Sequence, residues 1–221
     1  MIAKELINHM IPPLKPTDDA HKAIVWMEEL RLNQLPVVDH GRFLGLISEE
    51  IILESNNIEK PIADFELLAQ GCFVREGQHF YDIIKQASNH DVHLVGVLGD
   101  SDDFIGVITV QDTLAYFAQT AAVQIPGGII VLSLDEKDYS LSEISRLVEE
   151  NRIKVLSSIV NQDPLDPSKI KLTLKLNTLN LSHVEATLER FNYKVISRFQ
   201  DSEIKEGERE KIDMLLKFLD I

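Results

Sequence analysis

Apolar positions at the start of the chain fall on one helical face: Ala20, Ala23, Ile24 and Met27 keep the three- and four-residue spacing of an amphipathic helix. About sixty residues later the same spacing returns as Phe80, Ile83, Ile84 and Ala87. Each helix is followed by two short apolar runs. Leu35-Pro36-Val37-Val38 and Phe43-Leu44-Gly45-Leu46-Ile47-Ser48 in the first copy correspond to Val95-Gly96-Val97-Leu98 and Phe104-Ile105-Gly106-Val107-Ile108-Thr109 in the second. The turns between them, His40-Gly41-Arg42 and Gly99-Asp100-Ser101-Asp102-Asp103, carry the glycine and aspartate that hairpins require. Each copy is predicted to run helix, strand, turn, strand, helix, with Thr17 or Asp18 capping the first helix after Pro16. A repeated unit of this kind cannot bury its apolar face alone. The two copies are expected to pack together, and a cleft between them suits a small ligand.

Beyond Gln124-Ile125-Pro126-Gly127-Gly128, which breaks regular structure, the pattern changes. Ile129 to Leu134 is a β-branched, apolar run. Ser140 and Glu143 have capping-box spacing ahead of a helix with Leu141, Ile144, Leu147 and Val148 on one face. Val155 to Val160 reads as a strand and Asn161 to Lys169, with Pro164 and Pro167, as a loop. Ile170, Leu172, Leu174 and Leu176 alternate with polar residues, as in a half-exposed antiparallel strand. A helix over Ser182 to Phe191 and a strand over Tyr193 to Phe199 complete a βαββαβ order of the ferredoxin-like kind. Three regions are therefore expected: 1–122, holding copies of about 1–60 and 61–122; 125–200; and a charged tail, 201–221, with Ile212, Leu215, Leu216 and Leu219 on one helical face. The predicted fold class is α+β/α/β.

Composition narrows the function. The net charge of -14 and the lack of a Lys/Arg cluster argue against nucleic acid and anionic membranes as partners. No apolar run is long enough to span a bilayer, and the N-terminus lacks the basic-then-apolar pattern of a secretion signal, so a cytoplasmic location is expected. A single cysteine, Cys72, excludes an intrachain disulfide and a cysteine-rich metal site, and the apolar stretch around it predicts a packing role. His90 and His93 have no partner cysteine for zinc. Asp100, Asp102 and Asp103 lack the loop and closing glutamate of a calcium site. No nucleophile–base pair can be named, so an enzyme is not expected, and no cofactor is required.

Leu35-Pro36-Val37-Val38-Asp39, Gly45-Leu46-Ile47-Ser48 and the intact Gly106-x-x-Thr109-x-x-Asp112 carry a resemblance to tandem CBS domains, the adenosine-sensing Bateman module. The second half looks like an ACT domain by its order of elements, and the whole is similar to bacterial CBS–ACT proteins of the acetoin-utilisation type. The resemblance implies that Asp112 accepts from ribose hydroxyls and Thr109 meets phosphate. It implies further that Val37 of the facing copy lines the base pocket, that His93 faces the phosphate, and that Thr17 is an additional contact. AMP or adenosine is the implied ligand. Asp112 also has a simpler reading, as an acidic residue favoured in a first helical turn.

The first copy departs from the pattern. Ile51 stands where the carboxylate should be, so one competent and one degenerate site are expected. The stretch Asp135-Glu136-Lys137-Asp138-Tyr139-Ser140 lacks the glycine of an ACT ligand loop, which favours edge-to-edge pairing of two copies over amino-acid binding. Two functions follow: a non-catalytic nucleotide sensor that relays binding to a homodimer or an unknown regulated protein, or a ligand-free dimerisation and interaction protein.

Overall fold

The two-residue hairpin turn in the first copy shows how directly local chemistry acts. His40 and Gly41 both have positive φ (46° and 80°), the mirror-image turn that matches the twist of its flanking strands. The protein is described by a computed structural model over residues 1–200, and the apolar face expected at Ile212 to Leu219 lies outside the described residues. The chain divides into two compact units, Met1–Ala118 and Gln119 onward. Gln119 to Ala122, expected at the end of the first region, fall in the second unit.

In the first unit the first copy comprises α1 (Ala20–Leu30), β1 (Gln34–Asp39), β2 (Arg42–Ser48) and α2 (Glu49–Glu54). The second comprises β3 (Phe73–Arg75), α3 (Phe80–His90), β4 (Leu94–Leu98), β5 (Phe104–Thr109) and α4 (Val110–Phe117). β1 pairs with β2, and β4 with β5, in antiparallel fashion, with register shifts at the equivalent positions Val37/Val38 and Val97/Leu98. The short strand β3 lies parallel to β4. Sequence alternation did not reveal it, because three residues are too few to show a period. Its counterpart in the first copy is a single parallel bridge, Leu14 to Val37.

Two other details differ from expectation. Asp19, not Thr17 or Asp18, caps α1, its carboxylate accepting from Lys22 N–H at 2.7 Å. Ile84, expected on the buried face of α3, is 47% exposed, while Phe80, Ile83 and Ala87 are buried.

Both copies share one apolar core, which runs from Leu14, Met27, Leu35 and Ile47 through to Val74, Ile83, Val97 and Ile108. Related positions meet directly across it. Phe43 and Phe104, which are equivalent in the repeat, stack with ring centroids 6.0 Å apart and planes 9° apart. Phe104 N–H donates to Gly41 C=O at 2.7 Å.

Cys72 is buried in this core, its thiol 3.7 and 3.8 Å from the carbonyl oxygens of Gln86 and Leu94. Burial pushes the thiol pKa up to about 11, so it stays protonated through neutral pH. Native protein at pH 8 is therefore expected to resist a thiol reagent and to be labelled only as guanidinium unfolds it. Fast labelling without denaturant would show that the segment around β3 opens locally.

The second unit comprises α5 (Ala121–Gln124), β6 (Ile129–Asp135), α6 (Leu141–Glu150), β7 (Val155–Asp163), β8 (Asp166–Leu176), α7 (Ser182–Arg190) and β9 (Lys194–Phe199). From β6 onward the order is βαββαβ, and the sheet order β7-β8-β6-β9 is entirely antiparallel between neighbours. Ile130, Leu132, Leu172, Leu174 and Leu176 form the buried face and pack against Ile144, Leu147 and Val148 of α6 and Val184 and Leu188 of α7. The loop expected over Asn161 to Lys169 is largely strand. β7 and β8 extend to Asp163 and Asp166, and Pro164 and Leu165 make the turn. Pro167 sits beside a register shift, where its missing N–H interrupts no regular ladder. After β6, Glu136–Asp138 forms a short 3-10 turn in place of a glycine loop. No helix among the described residues is long and apolar enough to cross a membrane.

Candidate functional site

The two copies of the first unit clasp through exchanged segments. The chain entering the first copy bridges the outer strand of the second, Asn8 to Val107, and the chain entering the second copy bridges the outer strand of the first, Leu68 to Leu46. These are equivalent contacts in the repeat. Both need a glycine at the strand: Gly106 (φ +156°) and Gly45 (φ +144°) occupy backbone conformations that side chains rarely adopt, where a Cβ would strike Ile7 or the Leu68 carbonyl.

At the end of β5 the chain turns into α4 through a reciprocal cap. Thr109 Oγ1 accepts from Asp112 N–H at 2.8 Å and donates to Asp112 Oδ2 at 2.7 Å, while Thr109 N–H donates to the same oxygen at 3.3 Å. A third group, Asn8 Nδ2, reaches that oxygen from the segment entering the other copy, at 3.0 Å. The carboxylate of Asp112 is thus held at the junction of the two copies by donors from both. Thr113 Oγ1 completes the turn by donating to Thr109 C=O at 3.1 Å.

The equivalent turn of the first copy is apolar. Ser48 caps α2 by accepting from Ile51 N–H at 3.3 Å, but Ile51 has nothing to return. Leu68 stands where Asn8 stands in the other crevice, and both Leu68 and Ile51 are partly buried against the core.

Two cavities flank these helix starts, and their charges are opposed. One, about 610 Å³, is lined by Arg31, Asn33, His93, Thr109, Gln111 and Leu114, among others. The other, about 500 Å³, is lined by Gln34, Ser48, Glu49, Glu50, Glu54 and Asp91, among others. Arg31 and Asp91 are equivalent residues, each in the left-handed conformation that ends a helix (φ 56° and 51°). A single exchange of sign at that position, with three glutamates added on α2, makes one cavity attractive to anions and the other repulsive. Among the described residues no group of three His, Cys, Asp or Glu side chains could hold a metal ion.

Of the residues singled out by sequence, Thr109 and Asp112 are in contact, and His93 lines the same cavity as Thr109. His93 C=O accepts from Val110 N–H at 3.0 Å, and His93 N–H donates to the buried Gln34 Oε1 of the first copy at 3.1 Å. Val37 is 1% exposed and belongs to the core, so it can back a ligand site but offers no open surface. Thr17 is exposed and lies before the Asp19 cap, outside both cavities. Sequence reasoning missed Asn8 and Arg31. Neither carries a periodic signal: Asn8 donates to Asp112 of the other copy, and Arg31 lines a cavity together with residues of the other copy.

Residues 3–56 match the family model of the CBS domain. Similar solved structures include a CBS domain pair/ACT domain protein from Thermotoga maritima, with 17% identity over 54% of this chain and 98% of that chain and a TM-score of 0.49. Protein MJ1004 from Methanocaldococcus jannaschii is 18% identical over 57% of this chain and 62% of that chain, with a TM-score of 0.50. CBSX2 in complex with AMP is 16% identical over 53% of this chain and 96% of that chain, with a TM-score of 0.46. At such identities a likeness is one of fold. Residues 3–56 are thus similar to the CBS domain, and they are followed by a second copy of the same order of elements and by a βαββαβ unit.

Proposed function

We propose that the first unit binds one adenine nucleotide, AMP or adenosine, and that the protein is a non-catalytic regulator which passes this signal to a dimer mate or to another protein. The observation that carries this reading is the Asp112 carboxylate held between the two copies, beside a cavity lined by the Arg31 cation and by His93, which suit a phosphate. The CBS match over residues 3–56 supports it. Asp112 would accept from the ribose, a charge-assisted bond of the stronger kind. The phosphate would lie toward Thr109, His93 and Arg31. Val37 would form the wall behind the base, and Thr17 would at most reach the ligand's edge. The few basic side chains beside this cavity suit one phosphate better than three, so AMP is favoured over ATP. The opposite crevice, with Ile51 in place of the carboxylate and acidic residues in place of Arg31, would take no nucleotide.

A thermal-shift panel of adenosine, AMP, ADP, ATP, S-adenosylmethionine and amino acids, followed by calorimetry, tests this reading. AMP at about 100 times its Kd is expected to add about 2.7 kcal/mol to stability, with one molecule bound per chain. Two sites per chain, or no response to any adenine compound, would defeat it.

A specific observation favours a second reading, an interaction module. Val110, Leu114 and Phe117, on one face of α4, are all exposed, and so is Leu53 on α2. In the second unit β7 and β9 are the sheet edges, and edge-to-edge pairing of two chains through one of them would give a homodimer. With either reading, the place of action would be the cytoplasm.

A further inference from the structure

Asn8 is fixed by three hydrogen bonds. Its backbone N–H donates to Val107 C=O at 2.8 Å. Its Oδ1 accepts from Met10 N–H at 3.0 Å. Because a backbone N–H can only donate, the amide oxygen must face Met10, which leaves the Nδ2 group to donate to Asp112 Oδ2. That oxygen already accepts from the hydroxyl and the N–H of Thr109. Oδ2 therefore receives three donors, more than its two lone pairs accommodate individually. Among the described residues, Oδ1 receives none.

From this asymmetry we infer that Asn8 is a positioning and specificity residue: it occupies one carboxylate oxygen of Asp112 and leaves the other to accept a single ribose hydroxyl. Asn8 has this role only if Asp112 meets a ribose, as proposed above. A free carboxylate could accept from both the 2′- and 3′-hydroxyls, one on each oxygen. With Oδ2 saturated, only one of the two finds a good acceptor. The crevice should then discriminate sharply at one hydroxyl and tolerate loss of the other. The first copy carries leucine at the equivalent position, Leu68, so an apolar residue is compatible with this bridge between copies.

The test is calorimetry with AMP, 2′-deoxy-AMP and 3′-deoxy-AMP on the full chain, for wild type, Asn8→Leu and Asn8→Ala, each checked for folding by thermal melting. In wild type one deoxy analogue is expected to bind within about twofold of AMP and the other about tenfold more weakly. In the Asn8 variants Oδ2 keeps only the Thr109 hydroxyl and the longer Thr109 N–H contact at 3.3 Å, which a ribose hydroxyl can displace, and the tolerated analogue should now also fall about fivefold or more behind AMP. If both analogues are weak in wild type, if neither is, or if the Asn8 variants leave the pattern unchanged, the role of Asn8 is overturned while AMP binding itself stands. If wild type binds no AMP at all, the nucleotide reading fails and this inference fails with it.

Discussion

Asp112→Ala is expected to weaken AMP binding by about 10- to 150-fold, the equivalent of one hydrogen bond to a charged acceptor, about 1.5–3 kcal/mol. The same change removes half of the reciprocal cap at the start of α4, with Thr109 losing its acceptor and Asn8 its partner. Loss of a cap costs about 1 kcal/mol, so the variant should melt a few degrees lower yet remain folded. The two effects separate by experiment. Thr109→Ala also breaks the cap but keeps the carboxylate. It should lower the melting temperature comparably while losing less affinity. If Asp112→Ala bound AMP as well as wild type, Asp112 would be a helix-capping residue and nothing more.

Gly45→Ala is expected to destabilise the first unit by about 3 kcal/mol. The new Cβ would lie 2.6 Å from the Leu68 carbonyl oxygen, and the residue would hold a φ of +144° that alanine resists. That carbonyl accepts from Leu46 N–H at 2.8 Å, and Leu68 N–H donates back to the Leu46 carbonyl at 2.8 Å, so relief of the clash breaks the bridge between copies. Gly106→Ala meets a softer obstacle, a methyl group of Ile7 at 2.5 Å, and should cost less, about 1–2 kcal/mol. Denaturant titrations of the two variants give the comparison. Equal losses would mean that the backbone carbonyl yields as easily as a side chain, and the clasp would then be looser than its hydrogen bonds imply.

These two substitutions address different parts of one arrangement. Gly45 governs whether the segment before the second copy can lie on the first. Asp112 governs what the resulting junction offers a ligand. The opposed charges of the two cavities belong to the same picture, since Arg31 and Asp91 occupy equivalent helix ends and face different crevices. A duplicated unit with the same order of core elements is chemically one-sided through a few positions: Asn8 against Leu68, Asp112 against Ile51, and Arg31 against Asp91.

Much of the architecture was legible along the chain because its causes are local. Apolar spacing marked α1, α3, α6 and α7, and alternation marked β8, since each needs one buried face. The order βαββαβ followed from those elements. Local cues failed where the deciding partner was distant in sequence. β3 exists because β4 lies beside it, and three residues show no period. The extension of β7 and β8 past Pro164 came from ladder pairing that outweighs a proline-rich composition. Asp19 caps α1 in place of Thr17 or Asp18 because the helix begins at Ala20, later than the proline suggested.

The amino-acid sequence by itself determined most of the elements, their duplication and the loss of a carboxylate at Ile51, because period, turn chemistry and side-chain identity are properties of neighbouring residues. Only the tertiary structure decided that Asn8 meets Asp112 across 104 positions, that Arg31 and His93 share a cavity, and that Val37 turns into the core. Those contacts arise when two copies exchange their entering segments, and no pattern within either copy encodes which side chains that exchange brings together.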